Sequence, residues 1–383
     1  MSQASKFKLG FLTHVEGGAS LKQSYLNAQE LFIAADELGF DTGWVAQHHF
    51  SPEPNGGLGS PWTFLSNVAA KTERIHLGTA ITILPLEDPL RLAEDVAVVD
   101  VLSNGRVELG VGSGYDPDAY RAFGKDIEQK RELTTAALDR LRSALAGHPL
   151  FEGGPQSKPY SPDLAANRIW QGVFSAEGAR YAAAGGSNLL LNRATYGHSE
   201  PTDVVQRPWA DAYLAAVAEQ SGSAQSDSDG AVARRAPRVG LSRLIFTAGS
   251  REEALRSIGD GVLDSLVSMK KRSGFDLGEE SLENALFRFN AFYGHPDQVI
   301  EQLSREQALP VATDLLAQFN PGKPTLDASI RALELLATEV APALGWVRAD
   351  AAASGLDVSA NDAGANDLST PDRSTPNEAL ATV

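Results

Sequence analysis

Residues 75–112 read IHLGTAITILPLEDPLRLAEDVAVVDVLSNGRVELGVG and hold one complete strand–helix–strand unit. Residues 75–83 are a β-branched run that predicts a strand. Asp88-Pro89 then opens a helix, because an aspartate accepts from the free first-turn N–H groups and a proline at the first helical position gives up no hydrogen bond. Residues 107–111 form the next strand. The alternation continues on both sides of this unit. Upstream, residues 8–13 (KLGFLT) are a strand, and the following helix sets Leu21, Tyr25, Ala28, Phe32 and Ala35 on one face before stopping at Gly39. Residues 43–48 give the second strand. Downstream, residues 169–174, 188–191, 239–246 and 314–319 supply strands five to eight, and helical stretches separate almost every pair. Eight β/α units in one chain predict a single (β/α)8 TIM barrel of the α/β class, not an open doubly wound sheet.

Composition bounds the rest. The chain has 383 residues, 43% of them hydrophobic, which is ample for a large core. Its net charge of −16 argues against nucleic acid or an anionic membrane as partner, since both need a basic face to displace counterions. With no cysteine there can be no disulfide, thiolate metal site or cysteine nucleophile. No apolar run is long enough to span a bilayer, and the first residues, MSQASK, carry no signal-peptide core, so a cytoplasmic location is expected. The barrel should occupy residues 6–345. Residues 219–238 read as a flexible insertion and 349–383 as a disordered acidic tail, both lacking aromatics. The long gap between strands seven and eight should hold a helix, a loop near 272–285 and a second helix from Pro296. Residues 272–291 are therefore the expected lid.

In such a barrel, chemistry sits at the C-terminal ends of the strands. Strand one ends in Thr13-His14 and strand two in Gln47-His48-His49-Phe50, so three of seven histidines gather there. Such histidines can simply satisfy local hydrogen bonds at the rim. The sharper reading makes His48 a general base or substrate orienter, with His14, Gln47, His49 and Tyr115 lining the pocket. A metal site is not expected, because no H-x-H spacing or carboxylate-rich strand end completes a ligand set. Strand four opens into Gly110-Val111-Gly112-Ser113-Gly114, where bare backbone would let a flat ring or a phosphate approach, or would serve only a tight turn. Ser175 and Gly178 stand where a strand meets a helix N-terminus, which suits a phosphate and equally suits a plain serine cap. Arg131, at the start of an amphipathic helix, reads by itself as a solvated charge.

Together these segments resemble the bacterial luciferase-like flavin monooxygenases. The likeness is carried by Gly39-Phe40-Asp41-Thr42-Gly43-Trp44 running into Gln47-His48-His49-Phe50, and by Leu77-Gly78-Thr79-Ala80 followed by Leu84-Pro85 and Asp88-Pro89. It continues through Leu102-Ser103-Asn104-Gly105-Arg106, Glu108-Leu109-Gly110-Val111-Gly112 and Phe123-Gly124. It closes on Gly294-His295-Pro296 and Glu339-Val340-Ala341-Pro342. The resemblance implies a barrel that takes reduced FMN from a separate NAD(P)H:flavin reductase, activates O2 and inserts one oxygen atom into a small organic substrate. It implies His48 as the catalytic histidine and a non-proline cis peptide at Ala80-Ile81 beneath the flavin ring. Flavin contacts are implied at Thr79, Gly112, Ser113 and Gly114, and phosphate contacts at Arg131, Ser175 and Gly178. It also implies a homodimer through the helices near 61–72 and 88–103.

Three positions depart from luciferase. Gln47 replaces a glutamate, Gly112 a reactive cysteine, and Ser113 an arginine that grips the phosphate. The loss of that arginine leaves open a deazaflavin-dependent oxidoreductase of the same fold, and the family's pairing of catalytic with non-catalytic subunits leaves open a non-catalytic flavin-binding partner subunit.

Overall fold

The computed structural model describes residues 5–50, 57–223, 236–273 and 277–349. Within it, short β-branched and aromatic runs form ten strands: β1 (Lys8–Thr13), β2 (Thr42–Val45), β3 (His76–Thr79), β4 (Thr82–Ile83), β5 (Val107–Gly112), β6 (Ile169–Val173), β7 (Asn188–Leu191), β8 (Val239–Thr247), β9 (Ala291–Gly294) and β10 (Asp314–Gln318). All pair in parallel, and β10 closes the circle by bonding both β1 and β8. β3 and β4 both pair with β5 and fill one barrel position, and β7 and β9 pair with one edge of β8 at different heights and fill another, so eight staves result with helices outside them. The predicted (β/α)8 barrel is the observed fold.

A small cluster fills the barrel interior: Leu12, Trp44, Trp170, Leu190 and Leu316, with Ala80 and Ile81 packed against it. The two tryptophans meet edge to face at 5.5 Å, a favourable ring geometry. At the N-terminal end, charge replaces hydrocarbon. Arg238 donates to Glu108 at 2.8 Å and to Asp314, and its guanidinium lies 4.5 Å over the Trp170 ring. Burial opposes the charge on Glu108, yet Arg238 and His76 together hold its carboxyl well below the usual range. That sealed polar plug leaves the opposite end as the open one.

The observed elements correct the expected ones at four places. The single strand predicted over 75–83 is two strands, split where the Ala80-Ile81 peptide is cis. The loop expected near 272–285 is narrower, with residues 277–281 non-helical between two helices. One helix runs Arg251–Ser273, and another, Leu282–Arg288, starts where the Ser281 hydroxyl caps the Asn284 N–H. Residues 274–276 lie outside the described set. β9 was not foreseen. Leu244 of β8 pairs with Gln318 on one edge and with Ala291 on the other, so β9 extends the edge that β7 occupies lower down. Finally, both ends of the insertion read at 219–238 belong to the fold, since a helix spans Thr202–Ser223 and Arg238 sits in the plug. Residues 224–235 of that stretch, and the tail from 350 onward, lie outside the described residues.

Candidate active site

β1 and β2 stop side by side, and the residues that follow them meet. His48 Nε2 lies 3.0 Å from His14 Nδ1, with the rings stacked at 5.0 Å. A bond between two imidazole nitrogens needs a proton on one and a lone pair on the other. Burial holds His14 well below the usual histidine pKa, and the positive charges of His48 and Arg193 push the same way. Burial therefore favours the neutral form of His14, the hydrogen-bond partner of His48. Its backbone N–H donates to Asn320 Oδ1 at 3.1 Å, tying β1 to the segment after β10.

The floor beside this pair is the Ala80-Ile81 peptide. Ala80 N–H donates to Val45 O at 2.8 Å and Gln47 N–H to Ile81 O at 3.2 Å, which joins the floor to β2. Thr79 lies beneath it, its hydroxyl donating to Gly110 O at 2.8 Å and accepting from Thr82. A Cβ on Gly110 would stand 1.9 Å from Thr79 O, and one on Gly112 would stand 2.7 Å from Ile81 Cδ1. These glycines thus make room for the floor itself. Ser113 and Gly114 continue past β5, where Tyr120 Oη donates to Ser113 O at 2.5 Å and Gly114 takes a φ of 66°.

Gln47 has its amide committed to the scaffold. Its Oε1 accepts from Ile83 N–H at 2.6 Å, and its Nε2 donates to Gly59 O at 3.1 Å and Glu87 Oε1 at 2.7 Å. His49 packs edge-on against Phe123 at 4.8 Å, and burial lowers its pKa against the opposing pull of Glu87 and Asp116. Tyr115 is 73% exposed on the rim. The structure therefore brings His14 and His48 together but turns Gln47 into the wall and His49 into an aromatic cluster.

The three expected phosphate contacts do converge. Ser175 caps the helix Ala176–Ala184, its Oγ accepting from Gly178 N–H at 3.0 Å. Arg131 reaches the same helix end and donates to Glu177 Oε1 at 2.5 Å, both side chains being about three-quarters exposed (75% and 73%). Tyr181 Oη donates to Thr135 Oγ1 at 3.0 Å and fixes the two helices together. A serine hydroxyl, a helix N-terminus and a guanidinium form a set that fits a phosphate, and the floor fits a flat ring. FMN would be held by these groups.

Sequence reading missed one part of the mouth. Two residues beyond β7, Arg193 is buried to 8% exposure, lies 5.3 Å over the Phe289 ring, and has an Nε with no hydrogen-bond partner among the described residues. Near it stand Tyr196, whose hydroxyl pKa is raised by burial, and Glu16, whose carboxyl is pushed up by burial against a bond donated by Asn320 Nδ2. The signal was available, since strand ends were the rule for finding the histidines and Asn192-Arg193 follows a strand. Among the described residues no three His, Cys, Asp or Glu side chains gather to hold a metal, and no helix is long and apolar enough to cross a membrane.

Comparison with known proteins agrees with this geometry. An uncharacterised protein of Sinorhizobium fredii (strain NBRC 101917 / NGR234), y4wF, is 32% identical over 264 residues, 65% of this chain and 70% of that protein. The alkanal monooxygenase alpha chain of the Kryptophanaron alfredi symbiont is 35% identical over 145 residues, and the match spans only 37% of this chain and 40% of that relative. Among solved structures, the monooxygenase RslO1 from Streptomyces bottropensis superposes with a TM-score of 0.71 at 22% identity, covering 88% of this chain and 99% of the other. The oxygenating constituent of 3,6-diketocamphane monooxygenase from the Pseudomonas putida CAM plasmid, a type II Baeyer-Villiger monooxygenase in complex with FMN, gives 0.69 at 19% identity, covering 88% and 98%. These two establish the barrel shape alone. The family model described as luciferase-like monooxygenase matches residues 6–313, and the chain belongs to that family.

Proposed function

We propose that this protein is a monooxygenase that uses reduced FMN and O2 to oxygenate a small organic substrate, the flavin arriving from a separate NAD(P)H:flavin reductase. What supports the reading is that the Ser175-capped helix end, the cis Ala80-Ile81 peptide and the His14–His48 pair all follow strands at the C-terminal end of one barrel. Family membership supports it, as does the FMN held by a structural relative.

When bound, reduced FMN supplies the electron pair that activates O2 and delivers one oxygen atom to the substrate. The chain supplies everything else. Ser175, Gly178 and Arg131 hold the phosphate, while Ala80 and Ile81 support the ring. His48 Nε2 passes a proton to or from the reacting oxygen, with neutral His14 as its hydrogen-bond partner. The segment around helix Leu282–Arg288 covers the mouth and keeps water out. Arg288 Nη1 already donates to His198 O at 2.7 Å, linking that segment to the loop after β7. The molecule works as a cytoplasmic homodimer. Val98, Val101 and Leu102, all exposed on the helix Pro89–Leu102, form the apolar centre of the contact.

The test is stopped-flow absorbance. Protein and reduced FMN, mixed anaerobically and then with oxygenated buffer, should yield oxidised FMN only after a lag that free reduced FMN does not show. His48→Ala should bind FMN normally and shorten the lag. Reoxidation of the wild-type mixture at the rate of free flavin would overturn the reading.

A further inference from the structure

Four arginines are buried to less than a tenth exposed: Arg106, Arg168, Arg193 and Arg243. A guanidinium cannot shed its proton, so burying one costs several kcal/mol unless its donors and its charge are met. Three of the four have their donors met. Arg168 binds Asp100 and Asp163, Arg243 binds Glu306 at 2.6 Å, and Arg106 donates five hydrogen bonds, to the carbonyls of Ala69, Thr72, Ile75 and Ser103 and to the Thr72 hydroxyl. Arg193 differs in its donors. Like Arg106 it has no carboxylate within ion-pair distance among the described residues, but its Nε meets no acceptor. Its neighbours are the face of Phe289 and the phenol of Tyr196, which takes a hydrogen bond from the guanidinium. Glu16 acts on it by charge without an ion pair, and accepts a bond from Asn320 Nδ2.

Position gives that unfilled donor a purpose. Arg193 follows β7 at the open end of the barrel, and its charge is felt at His14, the partner of His48. A planar fork of donors is the side chain best matched to a carboxylate or another delocalised oxygen anion. We propose that Arg193 is the specificity-determining residue for the organic substrate: the pocket takes a molecule bearing a carboxylate or comparable oxygen anion, held against the guanidinium with Tyr196 beside it, so that its reactive carbon faces His48. This rests on the monooxygenase reading only in naming the anion a substrate. It separates this protein from relatives that act on neutral alkanals.

The probes are hexanoate and its neutral isostere hexanamide, titrated calorimetrically into the full chain with and without oxidised FMN. Wild-type protein should bind hexanoate at least about tenfold more tightly, as expected for a charge-assisted bidentate pair. Arg193→Met should bring the two within about twofold, and Arg193→Lys should keep part of the preference, with unchanged circular dichroism in both. Equal binding of the two probes by wild type, or a preference that survives in Arg193→Met, would overturn the assignment. Reduced and oxidised FMN form the second arm. If Arg193→Met instead abolishes a preference for reduced FMN and leaves the hexanoate preference intact, the guanidinium serves the flavin ring and the substrate assignment falls. Failure of the wild type to bind FMN at all, with hexanoate still favoured, would strike the proposed function and leave the anion site standing.

Discussion

Gln47→Glu exchanges one heavy atom, the amide nitrogen for an oxygen, at nearly constant shape, and it tests whether the wall of this site is built from an amide for a reason. The Gln47 side chain accepts from Ile83 N–H and donates to Gly59 O and Glu87 Oε1. A carboxylate can keep the first bond only. It would face the Gly59 carbonyl without a proton to offer and set a second negative charge against Glu87, in a residue only 3% exposed. Two carboxyls in contact share one proton, which raises one folded-state pKa by about 2 units above its unfolded value near 4.3. At about 1.4 kcal/mol per unit this destabilises by about 2.7 kcal/mol at pH 8, and the lost Gly59 bond adds about 1 kcal/mol. The sign follows from the raised pKa. The folded state binds the extra proton, so the variant recovers below the unfolded pKa and loses stability as pH rises through the folded one. Urea unfolding followed by tryptophan fluorescence should therefore show a deficit of about 4 kcal/mol at pH 8 and about 2 kcal/mol at pH 5. Gln47→Leu should show a deficit that does not change with pH. A Gln47→Glu deficit that is the same at both pH values, or below about 1 kcal/mol at pH 8, would refute the account of the wall.

Glu177→Gln frees Arg131 from its exposed ion pair, so FMN should bind a few-fold more tightly by fluorescence quenching; weaker binding would mean that Glu177 helps to hold the flavin. Gly110→Ala forces a Cβ to 1.9 Å from the Thr79 carbonyl, a backbone atom that cannot swing away, and should lower the melting temperature by about 10 °C or more in differential scanning calorimetry. Val101→Glu, on the exposed apolar face of the helix Pro89–Leu102, should convert a dimer to a monomer in light scattering without shifting the melting point of the monomer.

How much the sequence disclosed depended on whether a feature was local. The barrel was legible because each stave and its helix carry their own pattern, as with the Asp88-Pro89 cap that is found accepting from Leu90 and Arg91 N–H. Ser175, for which a helix cap was one of two readings, does cap a helix, and Gly39 ends one; the cis peptide at Ala80-Ile81 is where the family resemblance, not the local pattern, put it. Features that exist only across the fold were not legible from pattern. β9 has four residues and no periodicity, and only Leu244–Thr247 of β8 makes it a strand. Arg238 closed the stretch read as a flexible insertion, yet its partners Glu108 and Asp314 lie 130 and 76 residues away. Arg193 could have been found by its place after a strand, but its unpartnered Nε appears only when Phe289, Tyr196 and Glu16 have closed around it.

The departures from luciferase read differently once their neighbours are known. Gln47 is not a glutamate that lost its charge, because Glu87 stands 2.7 Å from its Nε2 and the pair needs a donor between them. Gly112 is not a vacant cysteine, because a Cβ there would meet Ile81 Cδ1 at 2.7 Å and disturb the floor. Ser113 does remove a cation, and nothing adjacent restores it: its carbonyl is held by Tyr120, and Arg131 is shared with Glu177. On the proposed reading, phosphate recognition would fall on a serine hydroxyl and a helix N-terminus, with one guanidinium already engaged. In a chain of net charge −16, such a set would hold a dianion loosely. Loose binding would cripple an enzyme whose flavin must stay for many cycles. It suits one whose flavin arrives reduced, is oxidised once and leaves.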